Sequence, residues 1–223
     1  MFDSCLLVAR DYWGSVKGVD SARAFEAALL SRELVNPNEI KTLYGTAATA
    51  AAVLREYEQL INNGGPRKLV LLVGHGNQVA DVGVPDEQDG LDEVYQLPEG
   101  NIVDDDLTTL ANRMQKDGFL LLICDFCSSG TMLDSALALP GVDWVNISSC
   151  LPVEDSYTSG DGNVMLRCLT DLLESIDVTS LTTREVNLEL CCAMRGSFIG
   201  ELQHPCVSVS NDILWEEKPF RRS

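Results

Sequence analysis

Lys68–Val73 (KLVLLV) runs directly into Gly74-His75-Gly76, and Phe119–Cys124 (FLLLIC) runs directly into Asp125-Phe126-Cys127-Ser128-Ser129-Gly130. Each run is apolar at nearly every position, the pattern of a short strand covered on both faces rather than one with a wet side. Working outward, Ser4–Ala9 (SCLLVA), Ile40–Tyr44, Val142–Ile147 and Cys206–Ser210 supply four more candidate strands. Helices are predicted between them. Gly18–Leu34 carries Val19, Ala22, Phe25, Leu29 and Leu30 at helical spacing. A second helix, Ala47–Ile61, is predicted to be capped by Thr46 and closed by Asn63-Gly64-Gly65-Pro66. A third opens at Asp104–Asp106, whose acids suit a positive helix N-terminus, and runs through Leu110 and Met114. Two more are expected at about 163–175 and 182–194. Strands alternating with helices predict an α/β fold whose mostly parallel, six-stranded sheet is covered on both faces. The 223 residues show no repeat, low-complexity tract or long linker, so 1–223 reads as a single domain.

Charge narrows the function classes. There are 16 Lys and Arg against 34 Asp and Glu, a net charge of −18. Phosphate contacts need Lys and Arg, so a general nucleic-acid binder is excluded, and adsorption to an anionic membrane is disfavoured. No apolar run approaches the length of a membrane span, and no basic, apolar leader precedes the first strand. Eight cysteines without a secretory signal point to a reducing, cytoplasmic setting.

The acid excess is concentrated. Asp81–Asp106 holds ten acids (Asp81, Asp86, Glu87, Asp89, Asp92, Glu93, Glu99, Asp104, Asp105 and Asp106) and no Lys or Arg. A solvated loop is one explanation and a divalent-cation site is another.

Chemistry concentrates where the two quoted strands end, because ligands in open α/β sheets bind outside the carboxyl ends of strands. His75 lies between two glycines, which let backbone approach a ligand closely. Cys127 lies just past the other strand. A thiol needs a base or cation nearby to react, and His75 and His204 are the two histidines available. Other readings stand beside this one. His75 could be an ordinary turn residue. Cys124 and Cys127 form a CxxC that could be a redox or metal pair, although Cys124 falls inside the buried run. A zinc site would want two further ligands, and Cys191-Cys192 is poorly spaced to supply them.

These segments together carry a resemblance. Val73-Gly74-His75-Gly76-Asn77-Gln78 resembles the SGHGxQ motif of metacaspases, the caspase-like cysteine proteases of clan CD, peptidase family C14. Asp125-Phe126-Cys127-Ser128-Ser129-Gly130 resembles their DxCxSG nucleophile motif. Asp89-Gly90-Leu91-Asp92-Glu93 and Ile102-Val103-Asp104-Asp105 are similar to the DGxDE and IVDD elements. Ile147-Ser148-Ser149-Cys150 and Gln203-His204-Pro205 through Ser210 are similar to the later ISxC and QxPxxS segments. The order is the family's, and the similarity spans nearly the whole chain.

The resemblance implies a caspase-like αβα sandwich and a cysteine endopeptidase. It implies Cys127 as nucleophile, His75 as general base and acid, and an oxyanion hole from the backbone N–H groups of Gly76 and Cys127. It implies protein or peptide substrates cut after Arg or Lys, with Asp125 as the acidic primary-pocket residue. Other pocket positions depart from the family: the hydroxyl before the histidine is Val73, and the GCxND element reads Gly18-Val19-Asp20-Ser21-Ala22. Weakened selectivity is expected from these departures. The resemblance further implies activation by calcium held by Asp92, Asp104, Asp105 and Asp134, with magnesium the lesser alternative. The other seven acids of the 81–106 stretch are expected on a solvated face. Only 13 residues separate Gly130 from Trp144, where many relatives carry an insertion, so a minimal core without a prodomain, working as an uncut monomer, is expected. The alternatives are a catalytically impaired, calcium-binding regulatory protein of the same fold and a redox protein using Cys124 and Cys127.

Overall fold

Covering both faces of a strand with helices removes any position where a polar side chain would meet water, and this chain builds its largest sheet that way. In the computed structural model the elements follow one another as β1 (Ser4–Ala9), α1 (Gly18–Ser31), β2 (Ile40–Tyr44), α2 (Ala50–Asn63), β3 (Arg67–Val73) and β4 (His75–Ala80). Then come β5 (Leu91–Leu97), β6 (Gly100–Val103), α3 (Asp104–Ala111), β7 (Phe119–Asp125) and β8 (Asp143–Ser148). The last are β9 (Thr158–Ser159), β10 (Gly162–Asn163), α4 (Val164–Ser175), α5 (Thr183–Arg195) and β11 (Cys206–Val209). The structure describes residues 1–11, 17–81, 90–134, 136–160, 162–196 and 202–221.

The main sheet has the order β11-β8-β7-β3-β1-β2. Its first five strands in chain order are parallel, and β11 closes one edge antiparallel to β8. Successive side chains divide between two cores. Leu7, Leu71, Leu121 and Ile123 pack with Phe25 and Leu29 of α1, Leu169 and Leu173 of α4, and Leu190 of α5. Leu6, Val70, Leu72 and Leu122 pack with Val53, Tyr57 and Ile61 of α2 and Leu107 of α3. The uninterrupted apolar runs are therefore the record of two covered faces. All six expected strands are present, in an αβα sandwich.

Three expectations are corrected. Thr46 lies in a short 3-10 turn, Gly45–Ala47, and Thr49 caps α2 instead, its hydroxyl accepting the Ala52 N–H at 3.2 Å. The third helix stops at Ala111, short of Met114. The 81–106 stretch is not a solvated face throughout: β4, β5 and β6 form a separate three-stranded antiparallel sheet. Within that sheet Glu93, expected at the surface, is only 1% exposed, because β5 lies against α3 and the loop that follows β7. Asp86, Glu87 and Asp89 lie outside the described residues. The later helices begin where expected, α5 with a reciprocal capping box between Thr182 and Glu185. Among the described residues no helix is long and apolar enough to cross a membrane.

Candidate active site

The register of two neighbouring strands sets the site. β3 and β7 pair in parallel with Val73 opposite Asp125, so His75 and Cys127 each lie two residues beyond one matched pair. The strands stay joined as they leave the sheet, the Gly74 N–H donating to the Asp125 carbonyl at 3.3 Å. Gly76 then passes so close to the Cys127 segment that a Cβ there would overlap the Cys127 carbonyl oxygen and the Phe126 ring. Only glycine permits that approach. His75-Gly76 and Cys127 are thus brought together at the carboxyl edge of the sheet, where such folds place their sites.

Tyr95 of β5 braces this meeting from below. It is opposite Gly76 in the β4–β5 ladder, its hydroxyl donates to the Val73 carbonyl at 2.9 Å, and its ring lies 5.1 Å from that of Phe126. Ser128 adopts a left-handed backbone, φ 55°, immediately after the nucleophile, and its N–H donates to the Glu154 carbonyl at 2.9 Å. A non-glycine residue in that region marks a turn held by its surroundings.

The Cys127 thiol is half-buried. Its Sγ accepts the Ser156 N–H at 3.4 Å and lies 3.8 Å from the Ser156 carbonyl oxygen, to which it can donate. Burial pushes the thiol up to about 11, against the pull of the Ser156 N–H and with a further push from Asp155. Burial also holds the His75 imidazole below its ordinary value of 6.5. At neutral pH burial therefore favours the thiol of Cys127 and the neutral imidazole of His75. His204 is an exposed residue whose Nδ1 pairs with Glu154 at 2.7 Å. Cys124 is sealed in the core, and burial first, then Asp125, pushes its thiol well up. Such a thiol is a poor redox partner for Cys127. All eight cysteines are free.

Asp125 ends β7 with its carboxyl buried. One oxygen accepts the Ser156 hydroxyl at 2.8 Å and the other the Leu166 N–H of the first turn of α4 at 2.9 Å. Burial pushes its pKa up, and those hydrogen bonds oppose the shift. The carboxylate thereby binds α4 and the segment around Ser156 to the nucleophile strand. Val73, opposite Asp125 in the sheet, is buried; on the first turns of α1 Ala22 is buried, Val19 half-buried and Asp20 exposed.

The structure brings some of the expected cation ligands together. Asp92 and Asp104 are 6% and 3% exposed, and Asp104 accepts the Glu93 N–H at 3.0 Å and the Asp105 N–H at 2.8 Å. Burial, joined by repulsion from Glu93 and Asp92, pushes the Asp104 carboxyl up to about 8. Asp134 reaches the same helix, its N–H donating to the Thr108 hydroxyl at 3.0 Å. Among the described residues no three His, Cys, Asp or Glu side chains are drawn close enough to hold an ion between them. Hard carboxylate oxygens are the donors calcium prefers, but the described residues bring no three of them together, and burial penalises the charge of Asp104.

Several residues of this site had no role assigned from the sequence. Glu93 and Tyr95 sit in a stretch whose acids hide a strand. Ser156 has no local signal at all. Gln203 is fully buried, donates to the Ser149 carbonyl at 2.9 Å and accepts the Tyr157 N–H at 3.0 Å, so it staples the segment that carries Ser156. Gln203 was legible within a family-like segment, but its contacts lie about fifty residues away in sequence.

The segments of His75 and Cys127 meet at the edge of an αβα sandwich, and a match to a family model gives the class, a caspase-like cysteine-type peptidase. The sequence model of the metacaspase, peptidase C14 domain matches residues 19–136. The chain belongs to that family. Among solved structures, protein GSU0716 from Geobacter sulfurreducens is similar in fold, with a TM-score of 0.74 at 18% identity over 98% of each chain. No curated protein matches the chain.

Proposed function

We propose that the chain, as one catalytic domain over residues 1–223, is a calcium-activated endopeptidase that cleaves after Arg or Lys through a Cys127–His75 dyad. The observation that supports this reading is the packing of Gly76, the residue after His75, directly on Cys127. His75 takes the Cys127 proton as sulfur attacks the scissile carbonyl carbon. It returns that proton to the amine as the C–N bond breaks, leaving a thioester. Water then attacks the thioester, His75 accepts its proton, and the Cys127 thiol is restored as the carboxylate product leaves. The N–H groups of Gly76 and Cys127 are the donors for the transient oxyanion.

Asp125, an acid two residues before Cys127 at the end of β7, supports a preference for basic residues, and peptide substrates of that kind suit a protein of net charge −18. Asp92, Asp104, Asp105 and Asp134 would hold calcium, which supplies the positive charge that lets these carboxylates stay ionised together. The enzyme works as an uncut monomer in the cytoplasm.

The test is hydrolysis of fluorogenic peptides with Arg, Lys or Asp before the scissile bond, with and without calcium. Cleavage of the basic peptides, raised by calcium and abolished in Cys127→Ala, is the expected result. Undiminished cleavage by Cys127→Ala would sink the dyad, equal cleavage of the Asp peptide the basic preference, and indifference to chelation the calcium site.

A further inference from the structure

We propose that Glu93 is a positioning residue of this peptidase: its buried carboxylate ties the strand that carries His75 to the loop that carries Cys127. The proposal rests on the reading of those two residues as the reacting pair.

The β4–β5 ladder places Glu93 directly opposite Gln78, and the Gln78 side-chain amide donates to Glu93 Oε1 at 2.9 Å. The other carboxylate oxygen accepts the hydroxyl of Thr131. Gln78 lies three residues beyond His75 on the same strand, and Thr131 lies four beyond Cys127. One side chain therefore reaches both reacting segments. The backbone N–H of Glu93 is itself held by Asp104 at the start of α3, so the bridging carboxylate is mounted on an anchored point.

Strand parity explains why this bridge falls where it does. Gly76 and Gln78 share one face of β4, and Gly76 is the residue packed on Phe126 and Cys127. Opposite them, Tyr95 and Glu93 share one face of β5. Tyr95 meets the Phe126 ring just before the nucleophile, and Glu93 meets Thr131 after it. The small sheet thus grips the nucleophile loop at two points, one apolar and one polar. Ring packing resists separation but is tolerant of sliding, whereas two directed hydrogen bonds to one carboxylate fix the register. A carboxylate that is 1% exposed has a large desolvation cost, which hydrogen bonds from both sides offset.

The test compares Glu93→Ala, Glu93→Gln and Thr131→Val with wild type, using the arginyl peptide with calcium and, if that peptide is left intact, denatured casein. The glutamine amide can accept from Gln78 and donate to the Thr131 hydroxyl, so it keeps both links without the charge. Misplacing a reacting group by about 1 Å costs on the order of 100-fold. Glu93→Ala is expected to lower kcat by about 10- to 100-fold with KM within about twofold, Thr131→Val by less, and Glu93→Gln to restore most of the loss. Should Glu93→Ala fail to fold, Thr131→Val carries the same test with one link removed. Wild-type kcat per titrated active site in Thr131→Val and any folded Glu93→Ala overturns the proposal. So does a Glu93→Gln protein as slow as Glu93→Ala, which would make the charge, not the bridge, the working part. Activity surviving in Cys127→Ala would instead refute the underlying dyad.

Discussion

The two sheets of this molecule bury different things. The six-stranded sheet buries hydrocarbon on both faces, with the carboxyl of Asp125 buried only where β7 ends, and its central strands β3 and β7 have no exposed position. The three-stranded sheet buries carboxyl groups: β5 has Asp92 and Glu93 inside, within a run that is otherwise buried by Val94, Tyr95 and Leu97. Buried apolar area stabilises a fold outright, whereas a buried carboxylate destabilises it unless hydrogen bonds or a cation compensate. The first sheet is therefore the apolar framework of the fold, and on the proposed dyad the second helps to hold the reacting groups in place.

If that division is right, substitutions in the two sheets separate stability from activity. The largest effect on stability is expected from Leu71→Ala, in the middle of β3, which leaves a cavity between sheet and helices. A loss of about 2–5 kcal/mol in urea unfolding is expected, with kcat of the folded fraction little changed. A matching collapse of kcat in the folded fraction would break the comparison.

Gly76→Ala should show the reverse. The added methyl overlaps the Cys127 carbonyl and the Phe126 ring, so the pair must move apart. A fall in kcat of about 100-fold is expected, larger in proportion than any fall in melting temperature. A protein with normal kcat would show that the close approach at Gly76 is dispensable.

The smallest effect sharpens the picture of the pair itself. Burial disfavours the imidazolium of His75, so its proton leaves at a lower pH than from a free imidazole. The acid limb of kcat/KM, which reports the free enzyme's base, should have its midpoint below 6.5, with activity kept as pH falls through that value. A midpoint above 6.5 would mean that an imidazolium–thiolate pair, not a neutral pair, is the resting state.

The same division explains what could be read from the amino acids. KLVLLV and FLLLIC announce their strands because both faces are covered. The glycines around His75 were conspicuous, yet the reason for Gly76, contact with Cys127, depends on a residue fifty-one positions away. Glu93 read as surface because charge is normally a solvent signal, and the placement of β5 against α3 overrides it. Thr46 was the expected cap, but the left-handed Gly45, φ 60°, turns the chain into a 3-10 step, and Thr49 caps the helix instead. Ser156 was invisible, since its hold on Asp125 and Cys127 comes entirely from tertiary packing.

The match of Val73 with Asp125 has a consequence for how this chain can change. Because His75 and Cys127 are each counted from that pair, any insertion or deletion inside β3 or β7 displaces one reacting residue relative to the other by a whole step along the sheet. A single-residue indel there would also turn that strand's Leu side chains toward the wrong helix layer. The alignment of His75 with Cys127 and the hydrophobic pattern thus share one reading frame, and the strands can accept substitution far more readily than a change of length.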